Sequence, residues 1–252
     1  MNIAVITGAS SGMGREFAVQ LDALHKYDEL WIIARRKEKL DELKGIVHAT
    51  VRSIPLDLTK EESYEEFKKL LKENAPKIRT LVNASGFGKF GKFTEIPLSE
   101  QCNMVDLNIK ALMTMTYICL PYMPLNSEIY ELCSLSSFQP VPYINVYAAT
   151  KAFVLSFSRA LNVELQDRNI HVIAVSPGWV DTEFIGNAEK DDTINYYNKL
   201  FKADEVVSQA ILDSAKGKDV SVCGAFTKAQ ARAVKLLPHK LVMKAWCKQQ
   251  KL

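Results

Sequence analysis

A doubly wound α/β fold is what the sequence predicts: a mostly parallel, seven-stranded sheet with helices on both faces, three layers in all. Three observations predict it. Short apolar, β-branched runs alternate with helical stretches between residues 3 and 224, as parallel strands joined by helical crossovers would. The first run, IAVIT, passes directly into a glycine-rich turn and then a helix. The polar and glycine motifs suited to chemistry each follow the end of an apolar run, and in such sheets ligands sit beyond the strand C-termini.

The elements follow in order. Residues 3–7 form the first strand, followed by Gly8-Ala-Ser-Ser-Gly12-Met-Gly14 and a helix with Phe17, Leu21 and Leu24 on one face. Strand, glycine turn and helix together open a dinucleotide-binding unit, in which main chain approaches a pyrophosphate at a helix N-terminus. Gly8 makes the tight turn, Gly12 the close approach and Gly14 the helix–strand packing. The second run, residues 30–34, ends in Arg35-Arg36 where an acid would select a ribose hydroxyl. Guanidinium donors suit a 2′-phosphate instead, so NADP(H) is expected over NAD(H), with Arg35 the better candidate. A third strand at 51–56 leads to Asp57-Leu58-Thr59, then to an amphipathic helix carrying Tyr64, Phe67, Leu70 and Leu71. Strand four, 80–82, runs into Asn83-Ala-Ser-Gly86. The loop GFGKFGKF beyond it either packs under its neighbours or borders an apolar pocket. A helical stretch over 101–123 carries Asn108 among apolar residues, a poor helix-interior choice because its amide competes with the backbone.

Strand five, 128–133, delivers Ser134, and the next helix, 147–166, begins with Tyr147-Ala-Ala-Thr-Lys151. Residues four apart share a helix face, so phenol and ammonium point into the same space. A Tyr titrates near pKa ~10, and a neighbouring positive charge lowers that value toward use as an acid or base at neutral pH. Strand six, 171–175, ends in the turn from Ser176 to Thr182. Residues 183–202 lose clear periodicity but hold Phe184, Ile185, Tyr196 and Tyr197, as a lid over a ligand would. A helix over ADEVVSQAILDSAKG and a short strand, VSVCG, complete the pattern.

In order and spacing the chain resembles a short-chain dehydrogenase/reductase over about residues 2–224, through TGASSGMG, DLT, Asn83 with Gly86, Asn108, Ser134, Tyr147, Lys151 and PGWVDT. The resemblance implies a Rossmann-type fold and hydride transfer between a nicotinamide and a carbonyl or alcohol. It implies that Tyr147 is the general acid/base, and that Lys151 lowers its pKa and holds the ribose. Ser134 would polarise the substrate oxygen, and Asn108 would hold a relay water. It further implies cofactor contacts from Gly8, Ser10, Ser11, Gly12, Met13, Gly14, Arg35, Arg36, Asp57, Leu58, Asn83, Gly86, Tyr147, Lys151, Pro177, Gly178, Val180 and Thr182. One departure is Asn83-Ala84-Ser85-Gly86 where the family usually reads Asn-Asn-Ala-Gly. The missing second amide leaves a strand-stabilising hydrogen bond for Ser85 to replace.

The expected organisation is one nucleotide-binding domain over 1–224, with the lid at about 183–202, and a basic helical tail over 225–252. The leading functional reading is an NADP(H)-dependent ketone or aldehyde reductase, equally an alcohol dehydrogenase. Its candidate pocket lining (Phe87, Phe90, Phe93, Phe138, Val141, Tyr143, Trp179, Phe184, Tyr197) favours a lipophilic steroid, bile acid or long-chain ketone. A 3-oxoacyl-thioester reductase, with Lys89 and Lys92 at the mouth, and a catalytically silent NADP-binding regulator are the rivals.

A formal charge of +3 is too small to imply a nucleic-acid partner. Five scattered cysteines and four isolated histidines argue against disulfides and a metal site, and for a reducing, cytoplasmic setting. No run is long enough to span a bilayer. Beyond Asp219 there is no acid, and lysines recur every four residues from Lys240 to Lys248, with Leu241, Val242, Ala245 and Trp246 on another face. Such a helix either docks on the protein or a neighbouring subunit, or lies on an anionic membrane surface. Related enzymes often form homodimers or homotetramers through the helices holding Asn108 and Tyr147.

Overall fold

The computed structural model describes residues 1–188, 193–194 and 196–252. Part of the expected lid therefore lies outside the described residues. In chain order the elements are β1 (Asn2–Thr7), α1 (Gly12–Asp22), β2 (Glu29–Ala34), α2 (Lys37–Asp41), β3 (Thr50–Pro55), α3 (Glu61–Asn74), β4 (Lys77–Asn83) and α4 (Leu98–Val105). There follow α5 (Leu112–Cys119), β5 (Glu128–Leu132), α6 (Asn145–Glu164), β6 (His171–Val175), β7 (Trp179–Val180), α7 (Glu183–Ala188), β8 (Leu200–Phe201) and α8 (Ala203–Ser214). The chain finishes with β9 (Val220–Ser221), α9 (Ala225–Leu236) and α10 (His239–Gln250).

The main sheet has seven strands in the order β3-β2-β1-β4-β5-β6-β9, and every pairing is parallel. This is the Rossmann-type arrangement, more uniformly parallel than the sequence required. Successive side chains along a strand point to opposite faces, so a sheet covered on both sides needs continuous apolar runs. Ile3, Val5, Trp31, Ile33, Ile129 and Val172 pack on one face, with Phe67 and Leu71 of α3 and Met115 and Cys119 of α5. Ala4, Ile6, Leu30, Ile32, Tyr130 and Ile173 pack on the other, with Phe17 and Leu21 of α1 and Val206 and Val207 of α8. Fully burying such a side chain contributes about 1.5–3 kcal/mol. Truncating Phe17 or Phe67 to Ala would cost about 3–5 kcal/mol, since each is fully buried.

Two local features depart from the expected elements. The stretch around Asn108 is interrupted: α4 passes through a π-helical turn, Asp106–Ala111, before α5 begins. Such wide turns absorb one extra residue, commonly where a side chain competes for backbone partners. The final strand is only two residues, and Cys223 and Gly224 already lead into α9. No helix among the described residues is long and apolar enough to cross a membrane.

Candidate active site

A cleft of about 830 Å³ runs across the C-terminal ends of the strands. One end is built from the turn between β1 and α1. Gly8 and Gly12 have φ of +69° and +54°, left-handed values that glycine adopts without strain. A Cβ on Gly14 would lie 2.4 Å from the Gly8 carbonyl oxygen, so helix and strand meet main chain to main chain. Ser11 caps α1 in an extended conformation and makes no side-chain cap hydrogen bond, so its hydroxyl satisfies none of the first-turn N–H groups. An anionic group is favoured there by those donors and by the helix dipole. Ser10, Ser11 and Met13 line this end with the three glycines.

Arg35 and Arg36 also line it, in different states. Arg36 donates to Glu183 Oε2 at 2.8 Å and Ser10 Oγ at 3.2 Å, which ties the end of β2 to the start of α7. Hydrogen bonding to Arg36 holds the Glu183 carboxyl below its ordinary range. Arg35 has no ion pair among the described residues. Asp57 and Leu58 line the wall, and Asp57 Oδ1 accepts from the Thr59 N–H and hydroxyl at 3.0 and 2.8 Å. Burial works to raise its pKa, but the Thr59 bonds and nearby Arg35 outweigh it and leave it lowered.

Gly86 lines the cleft, whereas Asn83 does not. The Asn83 amide is buried and donates instead to Thr116 Oγ1 at 2.9 Å and Glu131 Oε1 at 3.2 Å. The Asn83 side chain is thus turned away from the cleft: Asn83 is the last residue of β4 and faces α5. Nor does Ser85 replace the missing second amide. Thr7 Oγ1 accepts from the Ala84 and Ser85 N–H groups at 3.0 and 3.1 Å, pinning the end of β4 to β1. Sequence reading passed over Thr7, whose only signal was a hydroxyl at the last strand position.

Asn108 is fully buried and clamps the loop beyond Gly86 like a peptide group. Its Oδ1 accepts from the Phe87 N–H at 3.0 Å, while Nδ2 donates to the Phe87 carbonyl at 2.9 Å and to Thr150 Oγ1 at 3.1 Å. Both ends of its amide are therefore engaged within the protein.

Ser134 and Tyr147 face the cleft where its polar and aromatic parts meet, and Lys151 lies beneath them, 5 % exposed. Ser134 Oγ is 3.0 Å from Ser136 Oγ and accepts from the Ser136 N–H at 3.2 Å. Lys151 donates to the Leu132 carbonyl at 2.6 Å, with Nζ 5.7 Å from the centre of the Tyr147 ring. Burial pushes the Tyr147 phenol well above its ordinary value, and a hydrogen bond with Ser134 offsets this only partly. Burial also brings Lys151 down to about 8. Desolvation is thus the dominant influence on the phenol in this arrangement.

Pro177, Gly178, Val180 and Thr182 complete the far side, Thr182 packing over Gly12. At the aromatic end Phe87, Phe90, Val141, Trp179 and Phe184 line the cleft as expected. Phe90 both packs and lines: its ring meets Trp179 at 5.9 Å and Phe184 at 6.4 Å. The other candidates do not line it. Phe93 is 54 % exposed, Tyr143 and Tyr197 support the lining from behind, and Phe138 turns away to pack on Ala231 and Val234 of α9. Their places are taken by Tyr196 of the expected lid, by Trp246 of the tail helix, and by Gln139, Gln230 and Gln249, which sequence did not single out. The tail docks: Trp246 Nε1 donates to the Pro142 carbonyl at 3.1 Å, and the Gln250 amide exchanges two 3.0 Å bonds with the Tyr196 backbone. Lys89 lines the mouth but pairs with Glu100, and Lys92 pairs with Glu95. No cluster of metal-ligating side chains occurs among the described residues.

A glycine turn after the first strand, a Ser after the fifth and a Tyr and Lys on the helix that follows are the features of a dinucleotide-dependent oxidoreductase. The chain belongs to the short-chain dehydrogenase family, whose profile matches residues 2–193. An uncharacterized oxidoreductase of Staphylococcus aureus is 32% identical over 184 residues, covering 71% of this chain and 78% of its own. A short-chain dehydrogenase from Sphingobium yanoikuyae, solved with NADPH, is 28% identical with a TM-score of 0.81, over 96% of this chain and 95% of its own. A bulky-bulky ketone specific alcohol dehydrogenase from Comamonas testosteroni is 25% identical with a TM-score of 0.74, over 94% and 92%.

Proposed function

We propose that this oxidoreductase is an NADP(H)-dependent carbonyl reductase, reversible as an alcohol dehydrogenase, for a lipophilic substrate. The observation that carries the reading is the placement of Ser134 and Tyr147 where the polar, glycine-walled part of the cleft meets the aromatic part. The residues fit the cofactor: the glycine turn leaves no room for a Cβ at Gly14, and α1 offers unpaired N–H donors above it. Gly8 to Gly14 would hold the pyrophosphate, Arg35 the 2′-phosphate, Asp57 the adenine, and Thr182 the carboxamide end. When bound, the nicotinamide supplies hydride to the substrate carbonyl carbon.

Negative charge then develops on the carbonyl oxygen. The Ser134 and Tyr147 hydroxyls, both lining the cleft, would donate to that oxygen and stabilise the charge more in the transition state than in the ground state. Tyr147 supplies the proton, a step contributing about 10²–10⁴-fold. Lys151 sits one helical turn behind, placed to hold the cofactor ribose and to favour the phenolate as it forms. Asn108 acts by fixing the loop main chain that passes against the Tyr147 ring, where a Cβ on Gly88 would come within 3.2 Å.

The substrate end is walled by Phe90, Trp179, Phe184 and Trp246, which suits an apolar body. Gln139 and Gln230 also border the cleft and bring amide groups to an otherwise apolar wall, which favours a body bearing some polar substituent. A hydroxylated polycyclic ketone meets both demands better than a plain aliphatic one. Outside the cleft, Val105 at the end of α4, Met113 and Tyr117 on α5, and Phe153 and Val163 on α6 are exposed, supporting a homodimer through these helices. Cofactor consumption over hydroxylated polycyclic, aliphatic and thioester ketones, with NADPH and with NADH, tests the reading. Tight NADPH binding without reduction of any ketone overturns it.

A further inference from the structure

Glu131 lies on β5 one residue before the carbonyl that holds Lys151, and none of it is exposed. The register places it opposite Asn83 of β4 and Ala174 of β6. Its Oε1 accepts from Asn83 Nδ2 at 3.2 Å and from Thr116 Oγ1 at 2.9 Å. Among the described residues its Oε2 has no donor, and neither does Asn83 Oδ1. The cluster is therefore short of protons. The Asn83 amide brings two and the Thr116 hydroxyl one, and that hydroxyl is shared with the Leu112 carbonyl at 2.8 Å. Rotating the Asn83 amide exchanges its ends without adding a proton. An ionised carboxylate with one oxygen wholly unsatisfied is among the costliest groups to bury, and a proton on Oε2 removes that cost.

The titratable groups facing Glu131 are few. Among the described residues α6 contributes Lys151, α5 contributes Cys119, and Cys133 lies just past the end of β5; Asn83, Thr116 and Ala174 carry no charge. Burial raises both thiols, which stay neutral, so Lys151 is the one opposite charge. Burial likewise pushes Glu131 up, to about 8, against the Asn83 and Thr116 hydrogen bonds.

We propose that Glu131 is kept as a neutral carboxylic acid behind Lys151 and is a positioning residue that sets when Lys151 gives up its proton. While Glu131 is neutral, Lys151 has only the Leu132 carbonyl to hold its charge. Once Glu131 ionises at alkaline pH, its negative charge retains the lysine proton.

Two measurements test this. Infrared spectra of the wild-type protein, titrated from about pH 6 to about pH 10, should show a protonated-carboxyl carbonyl band that disappears on the alkaline side. The band should be missing from Glu131→Gln, in which the amide keeps the shape and supplies the absent donor. No such band near neutral pH overturns the proposal, and this measurement needs no turnover, so it stands apart from the reductase reading. The second is the pH profile of ketone reduction. In Glu131→Gln the alkaline limb should move down by about one pH unit, while the rate at about pH 6.5 stays within about twofold. Superimposable profiles overturn the proposal. Should Glu131→Gln not fold, the wild-type infrared titration decides alone.

Discussion

At one end of the cleft the wall is main chain: the glycine turn after β1, the first turn of α1, and the loop beyond Gly86 that Asn108 clamps. At the other it is side chain, drawn from segments near residues 139–147, 179–187 and 230–249. Backbone walls are set by sterics that a single Cβ violates. Side-chain walls are set by packing between distant segments and can be repacked one residue at a time. The first kind suits a ligand that never changes, the second a ligand that differs between relatives.

Substitutions should therefore separate the two ends, with the junction most sensitive of all. Tyr147→Phe should lower kcat by about 10²–10⁴-fold while NADPH binding, followed by fluorescence titration, stays unchanged. An equal loss of NADPH binding would place Tyr147 in the cofactor wall alone. Gly14→Ala, whose new methyl would sit 2.4 Å from a carbonyl oxygen, should weaken NADPH binding more than about tenfold and cost about 1–3 kcal/mol of stability in denaturant unfolding. An unchanged NADPH affinity would show that this wall yields after all. Arg35→Ala should raise the KM for NADPH about tenfold and leave that for NADH unaltered. Arg36→Ala should do less, because Glu183 already occupies its guanidinium; the reverse order would move the phosphate site to Arg36. Trp246→Ala is the mildest, raising the ketone KM roughly two- to fivefold with no change for the cofactor. An effect on the cofactor there would join two walls described as separate.

The main-chain end was also the more legible in the sequence. Glycines at 8, 12 and 14 report a local steric demand, and Tyr147 and Lys151 report a helical spacing; both are short-range signals. Asn108 stood out because amides are poor in helix interiors, but the π-helical turn that accommodates it did not. Thr7 and Thr116 were unreadable, since a strand or helix threonine looks the same whether or not its hydroxyl reaches a neighbouring element. The direction of the Asn83 amide was hidden for a related reason: the sequence puts it at a strand end without saying which face its amide takes. The aromatic end depends on contacts between residues as far apart as Pro142 and Trp246. The apolar face of the last helix showed that something covers it, but not that the cover is the substrate wall. Phe138, close in sequence to Ser134, is carried the other way by the single turn of 3-10 helix at Leu135–Phe138.

β1 is an interior strand of the sheet, hydrogen-bonded to β2 on one side and β4 on the other. β2 is made soon after it, but the interval from Thr7 to Lys77 takes on the order of ten seconds to synthesise. Until β4 emerges, Ile3 to Ile6 present an open, apolar edge at what becomes the deepest point of the finished protein. The part of the molecule that is most protected once folded is thus the part most exposed while it is being made, and it is there that chaperone dependence and aggregation during expression should concentrate.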